Sequence, residues 1–207
     1  MPRVSKAEYA AYEAQLVDPY ADFFVYPEGL TRANLDRFFA GDGGAEPPID
    51  VLVEETDNIE LKVVLRQAAR ERRVDVLMMT DFGDTAELMW NYFCERPDSP
   101  IGCGAPDADL LEALAATRTG DRETFWTFVE ALCGPDFVSA SLVGFVEGRG
   151  EQPTSSMPQS GATAMASGAI GGKELALHVL GHHRGAASPC RVVYDLRGRT
   201  AATWRPG

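Results

Sequence analysis

The chain has 207 residues, 45% of them hydrophobic, and a formal net charge of −12. That length suits one domain of ordinary size, and the apolar share is enough to fill a core. The acidic balance argues against general binding to nucleic acid or anionic membranes, both of which require clustered cations.

The N-terminus shows no apolar leader, and no stretch reaches the roughly 18 to 20 apolar residues of a membrane span, so a cytoplasmic location is expected. Cys94, Cys103, Cys133 and Cys190 are scattered without a C-x-x-C pair, which suggests neither a disulfide scaffold nor a structural zinc.

In chain order, Ser5 to Val17 reads as a helix with Tyr9, Tyr12 and Leu16 on one side. Ser5 caps it, Glu8 stands three places on, and Asp18-Pro19 stops it. Phe23 to Tyr26 reads as a strand, the segment from Thr31 as a short helix capped by Thr31, and GDGGAEPP as a loop. Ile49 to Gly83 is the most informative stretch. An apolar strand, Val51 to Glu54, ends in an acidic turn; an amphipathic helix follows, then a second strand, Val76 to Met79, ending near Asp81. This is the pattern of a buried β-α-β unit. Ligands in parallel sheets sit beyond the carboxyl ends of the strands, which singles out Asp57, Asn58 and Asp81. The cluster Arg70, Arg72, Arg73 reads as a solvated helix end favoured by the macrodipole.

TAELMWNYF reads as a further strand, and Cys94 to Pro106 as irregular. Helices are expected over Asp107 to Thr117 and Asp121 to Leu132, the second carrying core aromatics. SSMPQSGATAMASGAIGGKELALHVLG passes from a polar turn into a long helix rich in small residues, and its Gly-Gly-Lys fails as a phosphate loop because Glu174 follows Lys173. His178 and His182 lie one turn apart beside His183, a spacing that could give two metal ligands but supplies no third. CRVVYDLRGRTAATW reads as a C-terminal antiparallel hairpin containing the strand Arg191 to Leu196.

The order of several motifs resembles the ThiF/MoeB adenylyltransferases, relatives of ubiquitin-activating enzymes. The motifs are Lys6, Asp18-Pro19, Thr56-Asp57-Asn58, Pro158-Gln159-Ser160-Gly161 and Val193-Tyr194-Asp195. The resemblance implies an α/β fold with a partial Rossmann-like parallel sheet flanked by helices, one ThiF-type domain over 1–207 lacking its first β-α-β portion, and an insertion or crossover over 94–135. It implies attack by a carboxylate, such as a peptide or ubiquitin-like C-terminus, on the α-phosphate of ATP. In that chemistry Asp57 would hold Mg2+, Lys6 would face the phosphates, and Asn58, Lys62 and Asp81 would lie at the nucleotide. Lys62 stands where the family usually has arginine. Cys94, in an accessible setting, would be the nucleophile of any thioester step. The bland readings are an exposed Lys6 in a frayed helix, Asp57 as a helix N-cap and Cys94 as an incidental thiol.

The glycine-rich loop that cradles pyrophosphate is absent before Lys6. ATP binding would therefore need a glycine-loop partner subunit or segment. A chain with an uncovered sheet edge is expected to form a homodimer or such a heteromer, and its substrate would be a carboxylate-bearing peptide or carrier protein. The competing expectation is a non-catalytic scaffold or dimerisation subunit. A nicotinamide-dependent oxidoreductase ranks last, since it needs the same missing glycines.

Overall fold

The computed structural model describes residues 4–103, 105–134, 160–182 and 184–205. The chain divides into two compact units, Met1–Ile49 and Asp50–Gly207.

In the first unit, α1 (Lys6–Val17) opens with a reciprocal cap. The Glu8 N–H donates to Ser5 Oγ at 3.1 Å, and the Ser5 N–H donates to the Glu8 carboxylate at 2.8 Å. The helix ends at Asp18, whose backbone turns extended because Pro19 follows. None of its residues is buried. The second helix, α2 (Leu35–Ala40), buries Leu35 and Phe39. Its N-cap is Asn34 rather than Thr31: the Thr31 N–H donates to Asn34 Oδ1 at 2.7 Å, so the asparagine closes the preceding turn instead. Phe23 to Tyr26, expected as a parallel strand, forms none. Pro27 removes a ladder donor, and Tyr26 is held by side-chain bonds instead. Its hydroxyl donates to Glu46 at 2.5 Å, Glu46 pairs with Arg37 at 2.8 Å, and its ring meets Phe38 edge-on.

The second unit is a mixed α/β structure around a five-stranded sheet with strands in sequential order. The strands are β1 (Val51–Glu54), β2 (Asp75–Phe82), β3 (Thr85–Asn91), β4 (Arg191–Asp195) and β5 (Thr200–Trp204). Among the described strands only β1 and β2 run parallel, with α3 (Ile59–Glu71) as their crossover; every later neighbour is antiparallel. This corrects the expected Rossmann-like parallel sheet. Gly83 and Asp84 leave no room for a crossover between β2 and β3, and Gly83, at φ 60, takes the left-handed conformation that reverses the chain at once. The expected C-terminal hairpin is present as β4 and β5.

Alternation along the strands sorts the two faces. Leu77, Met79, Leu88, Trp90 and Tyr92 form one apolar face, against which Ile170 and Leu175 of α6 (Gly161–Val179) pack. The small residues of α6 permit close approach: a Cβ at Gly171 would fall on the sulfur of Met79. The other face carries Leu52, Glu54, Met78, Glu87 and Met89 toward α3, whose Val63, Leu65 and Ala69 are buried. Within the stretch expected as an insertion lie α4 (Asp107–Ala116) and α5 (Arg122–Cys133), which pack on one another. Among the described residues no helix is long and apolar enough to cross a membrane.

Candidate functional site

The turn after β1 brings Glu55 and Asp57 each into electrostatic range of Asp81 at the end of β2. Burial pushes Asp81 above the usual carboxylate range, and the charge of Asp57 adds to the rise. Glu55 is raised by burial and by Asp81, partly opposed by Lys62. The start of α6 is tied beside this point: the Ser160 N–H and the Thr163 hydroxyl both donate to the Gly83 carbonyl, the latter at 2.9 Å. Asp57 itself is exposed. Asn58, rather than Asp57, caps α3, its side-chain oxygen accepting from the Leu61 N–H at 3.0 Å. No group of three or more His, Cys, Asp or Glu side chains among the described residues is placed to hold a metal ion.

Lys62 does not face this acidic edge as a free cation. Its Nζ donates to both oxygens of Glu54, at 2.8 and 2.9 Å, and the pair is buried. Glu54 also accepts from the Thr56 N–H and lies 3.4 Å from Arg66 Nε. Arg66 donates to the Ile101 carbonyl at 2.5 Å and to Asn91 at 3.3 Å. On the same sheet face, Arg191 Nε lies 2.9 Å from Glu87, Arg191 Nη1 lies 3.3 Å from Cys103 Sγ, and its guanidinium covers the Trp204 ring. Five ionisable side chains, Glu54, Lys62, Arg66, Glu87 and Arg191, are thus withdrawn from solvent. Sequence reasoning missed this network apart from Lys62. Its signal was present in period-two alternation: Glu54 follows Leu52 on the buried face of β1, and Glu87 interrupts an apolar strand.

The remaining expected residues are dispersed. Lys6 is exposed in the first turn of α1, within the first unit. Cys94 lies past β3, beside the start of β2 and away from Asp81. Its N–H and thiol are held by Asp75 and by the Arg73 carbonyl. Burial and the Asp75 carboxylate raise its thiol above the ordinary range, the opposite of what a thiolate nucleophile needs. The His178 ring lies tilted against Trp90, with ring centroids 4.5 Å apart, and its Nε2 lies 3.8 Å from Asp75. His183, Pro158 and Gln159 lie outside the described residues.

No family model matches the chain. A segment of 114 residues, 54% of the chain, is 39% identical to the uncharacterized protein MT1398 of Mycobacterium tuberculosis (strain CDC 1551 / Oshkosh), of which it covers 15%. Among solved structures, PaaA is similar over 96% of this chain and 54% of its own, with a TM-score of 0.52 at 8% identity, which speaks to fold alone. The heterocyclase TruD gives a TM-score of 0.37 at 17% identity, covering 85% of this chain and 24% of its own. A heterocyclase in complex with substrate and cofactor gives 0.41 at 12% identity, covering 84% and 22%. The chain therefore spans a small part of its curated relative and about half of PaaA. The ThiF/MoeB assignment is corrected: the likeness in fold is to PaaA, and the sheet of the second unit is largely antiparallel.

Proposed function

We propose that this chain is a non-catalytic scaffold or dimerisation module that works as part of a larger protein or assembly. The observation that carries the reading is the engagement of Lys62 by Glu54, both buried and joined by two short hydrogen bonds. Lys62, which the resemblance placed at the nucleotide, is already neutralised, and the strand ends carry carboxylates that repel phosphate. The match to a small fraction of a much longer relative accords with a module embedded in a larger chain. The four free cysteines accord with a cytoplasmic setting. The test is equilibrium binding of ATP with Mg2+, together with ATP–pyrophosphate exchange using carboxylate-terminated peptides. Neither binding nor exchange is expected, and robust exchange by the chain alone would overturn the reading.

A second reading has one observation in its favour. Asp57 and Asp81 lie at the carboxyl ends of the parallel pair β1 and β2, the end at which parallel strands usually carry a ligand. In that reading the chain takes part in ATP-dependent carboxylate activation. A carboxylate oxygen bonds to the α-phosphorus, the bond to the bridging oxygen breaks, and pyrophosphate leaves. A glycine-loop partner would bind the phosphates, with Mg2+ offsetting their charge. Exchange appearing only when such a partner is added would favour it.

A further inference from the structure

We propose that α1 is a self-association surface, pairing antiparallel with α1 of a second copy of this chain. This deepens the scaffold reading and rests on it. Although Lys6–Val17 forms a capped helix, none of its residues is buried, and Tyr9, Tyr12 and Leu16 remain 60%, 57% and 65% exposed. Ser5, Tyr9, Tyr12 and Leu16 are spaced four, three and four apart, which draws one stripe down the helix in the manner of a coiled-coil seam. A stripe of two tyrosines and a leucine open to water gains by being covered, and each tyrosine keeps its hydroxyl at the rim.

The flanking charges select the occupant. With two copies antiparallel, Tyr9 of one meets Tyr12 of the other and Ser5 meets Leu16, twice over by symmetry. Lys6 and Glu13 lie on one flank of the stripe, Glu8 and Gln15 on the other. The antiparallel arrangement sets Lys6 against Glu13 of the second copy and Glu8 against Gln15, so opposite charges meet on one side and no like charges meet on the other. A parallel pair would set Glu8 against Glu13, two carboxylates facing across the seam. Glu8 is fixed in place by its bond to the Ser5 N–H, so it cannot swing clear. Charge complementarity therefore favours a second copy, in one orientation. A seam of twelve residues is short, and the dimer it forms is reversible rather than permanent.

The experiment is sedimentation velocity on the full chain from micromolar to millimolar concentration, with Lys6→Glu, Glu13→Lys and Tyr12→Glu variants. Each altered residue is exposed, so folding is retained, as circular dichroism will verify. The wild type is expected to dimerise reversibly. Tyr12→Glu should abolish the dimer, and each charge reversal alone should weaken it about tenfold. Mixing Lys6→Glu with Glu13→Lys should restore it as a heterodimer, because both flanking pairs are then opposite in sign. A chain that stays monomeric throughout, or a dimer indifferent to all three variants, overturns the proposal. A dimer strengthened by Glu13→Lys alone also overturns it, by showing parallel pairing. Indifference to the variants leaves the scaffold reading standing, whereas pyrophosphate exchange by the chain alone removes that reading whatever α1 does.

Discussion

Lys62 Nζ donates to both carboxylate oxygens of Glu54, at 2.8 and 2.9 Å, from a side chain left 9% exposed. A buried pair of this kind contributes little beyond a well-packed apolar substitute, yet breaking it from one side is costly, because one charge stays behind. Lys62→Met is therefore expected to destabilise the second unit by about 3 kcal/mol, read from urea unfolding. Adding Glu54→Leu should recover only part of the loss, because Arg66, 3.4 Å from the same carboxylate, is then left as a buried charge. A neutral Lys62→Met would show that the lysine is not held in this way and would return it to the list of phosphate ligands.

Glu87 gives a pH dependence. Burial raises its carboxyl to about 8, against the pull of Arg191 in the opposite direction. Between the ordinary carboxylate value of about 4.3 and this folded value, the native state holds a proton that the unfolded chain releases. Stability must then fall as pH rises through that window and level off above it. Glu87→Gln, which imitates the protonated form, should flatten the slope of unfolding free energy between pH ~5 and pH ~8. An unchanged slope would mean that Arg191 keeps Glu87 ionised throughout.

Two adjacent glycines of α6 should respond oppositely to the same change. Gly171→Ala places a methyl on Met79 in the packed face and is expected to cost about 1 to 3 kcal/mol. At Gly172 nothing lies within 4 Å, so Gly172→Ala should be neutral or stabilise by up to ~1 kcal/mol through helix propensity. Thermal unfolding of the pair checks the packing of α6, since equal effects would place the helix elsewhere.

Cys94 is exposed, yet it should alkylate slowly at neutral pH, because partial desolvation of its thiol and the nearby Asp75 carboxylate both disfavour the thiolate. Asp75→Asn should speed the reaction. Rapid labelling of the wild type near pH 7 would reopen a nucleophilic role.

The legible parts of the fold were those governed by local rules. The Ser5 and Glu8 box, the stop at Asp18, the apolar run of β1, the period of α3 and the small-residue face of α6 are each written within a few neighbours. Strand direction was legible for β1 and β2, which run parallel as their β-α-β pattern implies, but not beyond them. Whether the chain crosses over after β2 depends on two turn residues, Gly83 and Asp84, and their reversal made antiparallel what the resemblance implied was parallel. At the candidate site the grouping of Asp57 and Asp81 could be read from strand ends, but the fate of Lys62 could not. A lysine four residues past Asn58 resembles a ligand until its partner is known, and that partner, Glu54, sits eight positions away on a different element. Phe23 to Tyr26 failed for a similar reason, since aromatic strand formers were placed by Glu46 rather than by a ladder.

The pairing of β3 with β4, from Thr85 against Asp195 to Leu88 against Val192, joins parts of the second unit that lie far apart in sequence. The β2–β3 and β4–β5 hairpins close over short turns and need no help from distant residues. Zipping them together must instead wait until the intervening helices have been gathered in, because the entropy of closing that long loop is lost before any ladder bond is gained. The seam between β3 and β4 is thus the late event in assembling the sheet, and the line along which a chain released during synthesis would remain open longest.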